Sequence, residues 1–221
     1  MSVETLLWDR AEPSRATLLL AHGAGVGMDS PFMAGLAERL AARGITVARF
    51  EFAYMAARRT GGPKRPPPKA ERLIGEFTAA IEAARADASD GPLLIGGKSL
   101  GGRVAAMAAA DPDIGEHVSG VVCLGYPFHP SGNADIPRLP PLQEASVPVL
   151  VCQGDRDPFG KPDEIAGYDL PDSVSFAYLE DGDHDFKPRG RSPATWKSNL
   201  DRSADLVTDF AAALGSSCPG A

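Results

Sequence analysis

A serine, an aspartate and a histidine lie far apart in the chain, each within a short turn-forming segment. Ser99 is the centre of the G-x-S-x-G sequence at 97–101, Asp157 lies in GDRDPFG, and His184 lies in DGDHDF. A serine hydroxyl becomes an effective nucleophile when a histidine accepts its proton and a carboxylate orients that histidine. The chain order serine, acid, histidine is one of the orders in which this combination occurs. We therefore predict that the three residues form a catalytic triad.

The surroundings of Ser99 fit a nucleophile on a sharp turn. An apolar run precedes it, and a segment rich in small residues, 100–110, follows it with helical character. Such a strand-to-helix turn exposes the hydroxyl and strains the backbone, so Gly97 and Gly101 must be small. The turn also places the amide of Leu100 at the start of a helix, where it can donate a hydrogen bond to a developing oxyanion.

The same segment resembles the end of a phosphate-binding loop, because residues 96–99 read Gly-Gly-Lys-Ser. That motif needs a glycine at position 92, where this chain has Pro92. It also needs a flexible loop at 93–96, where this chain has part of an apolar strand. We therefore reject a nucleotide site here.

The acid and the base each have competitors in the sequence. Asp157 is preferred over Asp155 because it is the fourth residue of the G-x-x-D turn, and Asp155 remains the alternate. His184 follows a strand that comes after the acid, as the base should, whereas His117 lies in a polar loop. His129 follows the wrong strand for the base, and we predict that it lines the substrate pocket.

A second oxyanion donor is expected from the glycine-rich turn His22-Gly23-Ala24-Gly25, which follows the strand 17–21. We assign the backbone amide of Ala24 to this role. His22 itself is expected to be a structural hydrogen-bonding residue. A glycine-rich connection without a catalytic role remains the alternative.

Apolar runs alternate with amphipathic segments along the chain, and this alternation predicts a mostly parallel sheet covered by helices. The predicted strands are an edge strand at 3–8 and the runs 17–22, 45–52, 92–97, 119–125, 147–154 and 173–180. The predicted helices are 31–43, 70–87, 100–110, 162–168 and 195–214. Because the carboxyl ends of parallel strands meet at one sheet edge, the three candidate segments should converge there.

We expect one domain, residues 1–214, and a flexible tail, 215–221. The connection between the strands ending at 125 and beginning at 147 is too short for a large cap domain, so the site should be open. The basic, proline-rich stretch 58–69 reads as an exposed loop. We expect this loop to overhang the site together with Tyr54 and Met55. We also predict that Tyr54 contacts the substrate.

Composition narrows the possible partners and cofactors. The formal net charge of -7 argues against a general affinity for nucleic acid or an anionic membrane. The hydrophobic content of 43% is ordinary for a globular protein. Three cysteines make no disulfide framework, and no apolar run is long enough to span a membrane. We expect a cytoplasmic protein acting on a small-molecule substrate, without a cofactor. The DGDHD sequence lacks the second histidine or cysteine pair of a metal site, so no metal is expected.

Six segments spread over nearly the whole chain carry a resemblance to known proteins. They are HGAGVGMDSPFM (22–33), FEFAYMAARR (50–59), GGKSLGGRVA (96–105), GYPFHP (125–130), GDRDPFG (154–160) and DHDFKPR (183–189). With them the chain resembles α/β-hydrolases related to dienelactone hydrolase, and more closely a family of short hydrolases from bacteria and animals. The resemblance implies the α/β-hydrolase fold and a triad of Ser99, Asp157 and His184. It implies little about the substrate.

Two function classes follow from these observations. The first is a serine hydrolase that cleaves an ester-like or thioester bond through an acyl-enzyme. The second is a non-catalytic binding or scaffold protein, because some animal relatives of this fold act in larger complexes without established hydrolysis. The intact order of the three residues favours the first class. We predict that the basic loop is exposed to solvent. The alternative is that it recognises an anionic group of the substrate.

Overall fold

The fold is a seven-stranded sheet with helices on both faces, as the sequence predicts. The computed structural model describes residues 6–130 and 132–216. The strands are β1 (Leu7–Asp9), β2 (Ala16–Ala21), β3 (Ile45–Phe50), β4 (Leu93–Lys98), β5 (Gly120–Leu124), β6 (Val149–Gly154) and β7 (Val174–Leu179). Their order in the sheet is β1-β3-β2-β4-β5-β6-β7. All pairs are parallel except β1 with β3, which is antiparallel at the edge.

The helices match the predicted segments, with some additions. They are α1 (Pro31–Ala41), α2 (Ala53–Arg59), a 3₁₀ helix (Ala70–Leu73) that leads into α3 (Ile74–Arg85), α4 (Leu100–Ala108), α5 (Pro112–Gly115), α6 (Pro140–Gln143), α7 (Pro162–Ile165) and α8 (Trp196–Ser216). The long apolar strands are buried because both faces of the sheet are covered. In β2, Leu18 and Leu20 pack with α1 and α8, whereas Leu19 and Ala21 pack with α3 and α4. This period-two alternation gives the domain one core on each face.

The structure corrects two expectations about the segment that follows β3. Arg58 and Arg59 belong to helix α2, so the loop begins after them. Met55 is buried and does not overhang the site. The positive charge of Arg59 is balanced locally, because its guanidinium forms ion pairs with Asp29 at 2.9 Å and with Glu51 at 2.7 Å.

The two ends of the chain lie partly outside the described residues. Helix α8 includes Gly215 and Ser216, which were expected in the flexible tail, and residues 217–221 lie outside the described part, as do residues 1–5. Between β5 and β6 the described residues form a loop and the short helix α6, with no cap domain. None of the described helices combines the length and the apolar character needed to cross a bilayer.

Candidate active site

Ser99 occupies the turn between β4 and α4, and its backbone is strained as the motif requires. Its φ is 52° and its ψ is -111°, a backbone conformation that residues other than glycine rarely adopt. Its amide donates a hydrogen bond of 2.9 Å to the carbonyl of Leu124, and its carbonyl accepts one of 3.0 Å from the amide of Arg103. The surrounding structure thus holds the strained turn at both ends.

The two flanking glycines are required by close backbone packing. A Cβ at Gly97 would lie 2.5 Å from the carbonyl carbon of Gly101 and 2.7 Å from the oxygen of Ala21. A Cβ at Gly101 would lie 2.6 Å from the same oxygen of Ala21. Strand β2 and helix α4 therefore approach β4 as closely as they do only because both positions lack a side chain.

We expect Gly97→Ala to lower the free energy of unfolding by about 3 kcal/mol, because the new methyl group meets backbone atoms that cannot move away. Urea unfolding followed by circular dichroism measures this loss. Gly75→Ala is the matched control, since a Cβ at Gly75 in α3 meets nothing within 4 Å. It should raise stability by about 0.5 kcal/mol. Equal effects of the two substitutions would contradict the packing argument.

Ser99, His184 and Asp157 form a continuous chain of hydrogen bonds. The His184 Nε2 lies 2.9 Å from the Ser99 Oγ, and the His184 Nδ1 lies 2.8 Å from the Asp157 Oδ2. A carboxylate only accepts hydrogen bonds, so Nδ1 carries the proton and Nε2 is left to accept from the serine hydroxyl. This tautomer is the one that a general base needs.

Asp157 is fully buried, and its two oxygens accept further hydrogen bonds. The amide of Phe159 donates to Oδ1 at 2.9 Å, and the side chain of Gln153 donates to Oδ2 at 3.0 Å. Gln153 also donates to the carbonyls of Gly160 and Tyr126, so it ties the acid-bearing turn to the end of β5. The sequence carries no signal for this role of Gln153, because one polar residue in an apolar run has no spacing that marks it.

Asp155, the alternate acid, does not reach His184. Its Oδ2 accepts a hydrogen bond of 3.0 Å from the amide of Asp181, and its Oδ1 has no hydrogen-bond partner among the described residues. The structure therefore brings only Asp157 of the two carboxylates to the histidine.

The turn that carries His184 is held from helix α8. The side-chain amide of Asn199 donates to the carbonyls of Glu180 and Phe186, each at 3.0 Å. Phe186 is fully buried and has a φ of 65°, which fixes the reversal of the chain directly after the histidine. Asn199 looked like an ordinary polar residue of an amphipathic helix, so the sequence carried no signal for this role.

The predicted oxyanion turn lies beside Ser99. A Cβ at Gly23 would be 3.8 Å from the Ser99 Cβ. The amides of Ala24 and Leu100 donate no hydrogen bond within the part of the chain that the structure describes. Neither amide is therefore committed to another acceptor there, and their role as oxyanion donors stays a prediction.

His22 supports this turn from inside the core. Its Nε2 accepts a hydrogen bond of 3.1 Å from the amide of Phe52, and its Nδ1 donates one of 2.6 Å to the carbonyl of Gly23. Burial lowers the pKa of His22 below its usual value, so the imidazole is neutral, as these two bonds require. The structural role predicted for His22 agrees with this geometry.

The two predicted substrate contacts differ in position. Tyr54 is half-buried against the oxyanion turn, its hydroxyl lies 3.4 Å and 3.3 Å from the carbonyls of Gly23 and Ala24, and burial raises its pKa to about 12. His129 is buried, with its Nδ1 2.8 Å from the carbonyl of Pro130.

The contact of His129 with substrate stays a prediction, and its side chain is only 5% exposed. Its ring lies 6.4 Å from that of Phe159, and the Phe159 ring lies 4.5 Å from that of His184. The Phe159 ring thus lies closer to the base than to His129. The half-buried Phe159 is the aromatic side chain next to the base.

Comparison with known proteins agrees with this architecture. Residues 14–212 match the model of the alpha/beta hydrolase domain family. The chain belongs to this α/β-hydrolase family. Its fold is similar to that of a dienelactone hydrolase from Anabaena variabilis, with 22% identity over 92% of this chain and 88% of that one and a TM-score of 0.67.

Two further solved α/β-hydrolase structures share the fold. One is an alpha-beta serine hydrolase homologue from Coxiella burnetii, with 18% identity over 93% of this chain and 90% of that one and a TM-score of 0.65. The other is a serine hydrolase without a lid from Xanthomonas campestris, with 19% identity over 91% and 88% and a TM-score of 0.60. At these identities the likeness concerns the fold.

Proposed function

We propose that this α/β-hydrolase is a serine hydrolase that cleaves an ester or thioester bond of a small molecule through an acyl-enzyme. The observation that carries the proposal is the hydrogen-bonded chain from the strained Ser99 through His184 to the buried Asp157. A structural serine at a turn has no need of a histidine in the correct tautomer and a buried carboxylate behind it.

The reaction proceeds in two halves. His184 takes the Ser99 proton as the oxygen attacks the carbonyl carbon, and Asp157 stabilises the imidazolium that forms. The amides of Ala24 and Leu100 donate to the oxyanion, and the imidazolium returns its proton to the leaving alcohol or thiol. His184 then removes a proton from water as the water oxygen attacks the acyl-enzyme. The bond between the acyl carbon and the Ser99 oxygen breaks, the imidazolium returns the proton to that oxygen, and the acid leaves.

The substrate class rests on the shape of the site and on the similar structures. The dienelactone hydrolase and the lidless serine hydrolase share this fold, and no cap domain covers the site in the described residues. An open site favours small, soluble esters or thioesters, with Tyr54 and Phe159 as the aromatic surfaces beside the reacting atoms. We further propose that the enzyme acts in the cytoplasm, where its buried free cysteines, Cys123 and Cys152, stay reduced.

A fluorophosphonate serine probe tests the proposal. We expect the probe to label the wild-type protein at Ser99, located by peptide mass, and to leave Ser99→Ala unlabelled. Circular dichroism of both proteins checks that they are folded. A folded wild-type protein that stays unlabelled would indicate a non-catalytic binding protein on the same fold.

A further inference from the structure

A buried lysine lies next to the nucleophile and has no part in the reaction described above. Lys98 is the last residue of β4 and precedes Ser99 directly, and it is only 5% exposed. Moving an ammonium group out of water is unfavourable unless an opposite charge or hydrogen bonds compensate it. A lysine buried at this position therefore needs a partner that compensates its charge.

That partner is the residue directly after the base. The Lys98 Nζ lies 3.6 Å from the Asp185 Oδ1, and Asp185 follows His184. The ion pair thus runs beside the hydrogen bond between Ser99 and His184, one residue away from it on each segment. It links the strand that carries the nucleophile to the turn that carries the base.

The path of the Lys98 side chain brings it close to the imidazole itself. A Cβ at Gly125, after β5, would lie 3.2 Å from the Lys98 Nζ and 3.3 Å from the His184 Nδ1. A Cβ at Gly23, in the oxyanion turn, would lie 3.6 Å from the Lys98 Cγ. The lysine therefore occupies the space between the oxyanion turn and the base.

We propose that the ion pair between Lys98 and Asp185 positions His184 against Ser99, and that Lys98 is a positioning residue of this site. The inference rests on the proposed hydrolase function. We call the pair the clasp. A displacement of a catalytic group by 1 Å can slow a reaction by about 100-fold, so a contact that fixes the base has a large effect on rate.

The clasp should respond to pH, because its cation titrates in an accessible range. Burial lowers the pKa of Lys98 to about 8, although the charges of Asp185, Asp157 and Asp183 oppose that shift. The other groups that face it are the His184 imidazole and the Phe32 ring of α1, whose centroid is 5.5 Å from the Nζ. Above about pH 8 the lysine loses its proton and the clasp loses its attraction.

If the clasp acts by positioning His184, removing it should affect the reaction rate and the thermal stability in different ways. Asp185 has a side chain that is 54% exposed, so Lys98→Met leaves that carboxylate solvated and not stranded. The substitution also removes a desolvated charge from the core. We therefore expect an unchanged or higher Tm together with a lower rate.

The test measures the rate of labelling by the fluorophosphonate probe from pH 6 to pH 10. Wild-type protein should lose rate above about pH 8. Lys98→Met should be slower, on the order of ten- to a hundredfold, and should lack the alkaline loss. Lys98→Arg keeps a cation throughout this range and should recover part of the rate, also without the alkaline loss.

Lys187→Met is the matched control. The Lys187 Nζ lies 3.9 Å from the other carboxylate oxygen of Asp185, so this variant removes a cation from the same aspartate but leaves the clasp intact. It should label at the wild-type rate with the wild-type pH profile. A Lys98→Met protein with the wild-type rate and the same alkaline loss overturns the proposal.

Hydrogen exchange tests, independently of catalysis, whether the clasp orders the turn that carries His184. The amides of Asp185 and Lys187 donate to the Asp183 Oδ1, so their exchange reports on the order of the turn. Faster exchange in the peptide 181–187 of Lys98→Met, but not of Lys187→Met, supports the clasp, and unchanged exchange overturns it. If the wild-type protein is not labelled at all, the proposed hydrolase function fails while this second measurement still tests the clasp.

Discussion

Replacing His184 with alanine is expected to lower kcat for the hydrolysis of p-nitrophenyl acetate on the order of 10⁴- to 10⁶-fold. The Ser99 hydroxyl then has no acceptor for its proton, because the bond of 2.9 Å to Nε2 is the one that activates it. The fold should survive the change. Asp157 keeps the hydrogen bonds from Phe159 and Gln153 after the histidine is removed.

The control for this variant is another histidine of the same chain. His117 is exposed and lies after α5, so His117→Ala should keep wild-type kcat. Added imidazole offers a second check, because the His184 side chain is partly exposed and its cavity opens to solvent. Partial recovery of His184→Ala with imidazole would show a missing base in a folded protein. A His184→Ala enzyme with near wild-type turnover would disprove the assignment of the base.

The position of the site could be predicted from the sequence because it depends only on residue types, their order in the chain and the direction of the strands. Parallel strands place their carboxyl ends at one edge of the sheet, and Ser99, Asp157 and His184 each follow such a strand. The requirement for glycine at 97 and 101 follows from the turn itself. Residue type, chain order and strand direction are all legible in a single sequence.

The residues that hold the site together could not be predicted in the same way. Gln153 and Asn199 act through contacts with loops that are distant in sequence, and nothing in their own segments marks them. Helix α2 was missed because the basic, proline-rich stretch after it hides the end of the helix. The predicted contact of His129 with substrate rests only on its position after β5, and its side chain is buried in the structure. Contacts between segments distant in sequence decide the roles of Gln153 and Asn199.

Replacing Asp157 with asparagine is expected to lower kcat by about 10⁴-fold while the fold remains intact. Among the described residues, the hydrogen-bond partners of this carboxylate are all donors: the His184 Nδ1, the Gln153 side chain and the Phe159 amide. An asparagine presents one acceptor and one donor end. If its oxygen faces Phe159, its NH₂ group faces the imidazole and favours the tautomer with the proton on Nε2. That tautomer donates to Ser99 and cannot accept its proton.

Asp155→Asn is the matched control, two residues away in the same turn. The Asp155 carboxylate accepts one hydrogen bond, from the amide of Asp181, and an asparagine oxygen can accept it equally well. We therefore expect kcat for p-nitrophenyl acetate to stay near the wild-type value. A large loss in Asp155→Asn with a small one in Asp157→Asn would reverse the assignment of the acid. A large loss in Asp157→Asn alone would show that the orientation of the imidazole, and not the general charge of the turn, activates Ser99.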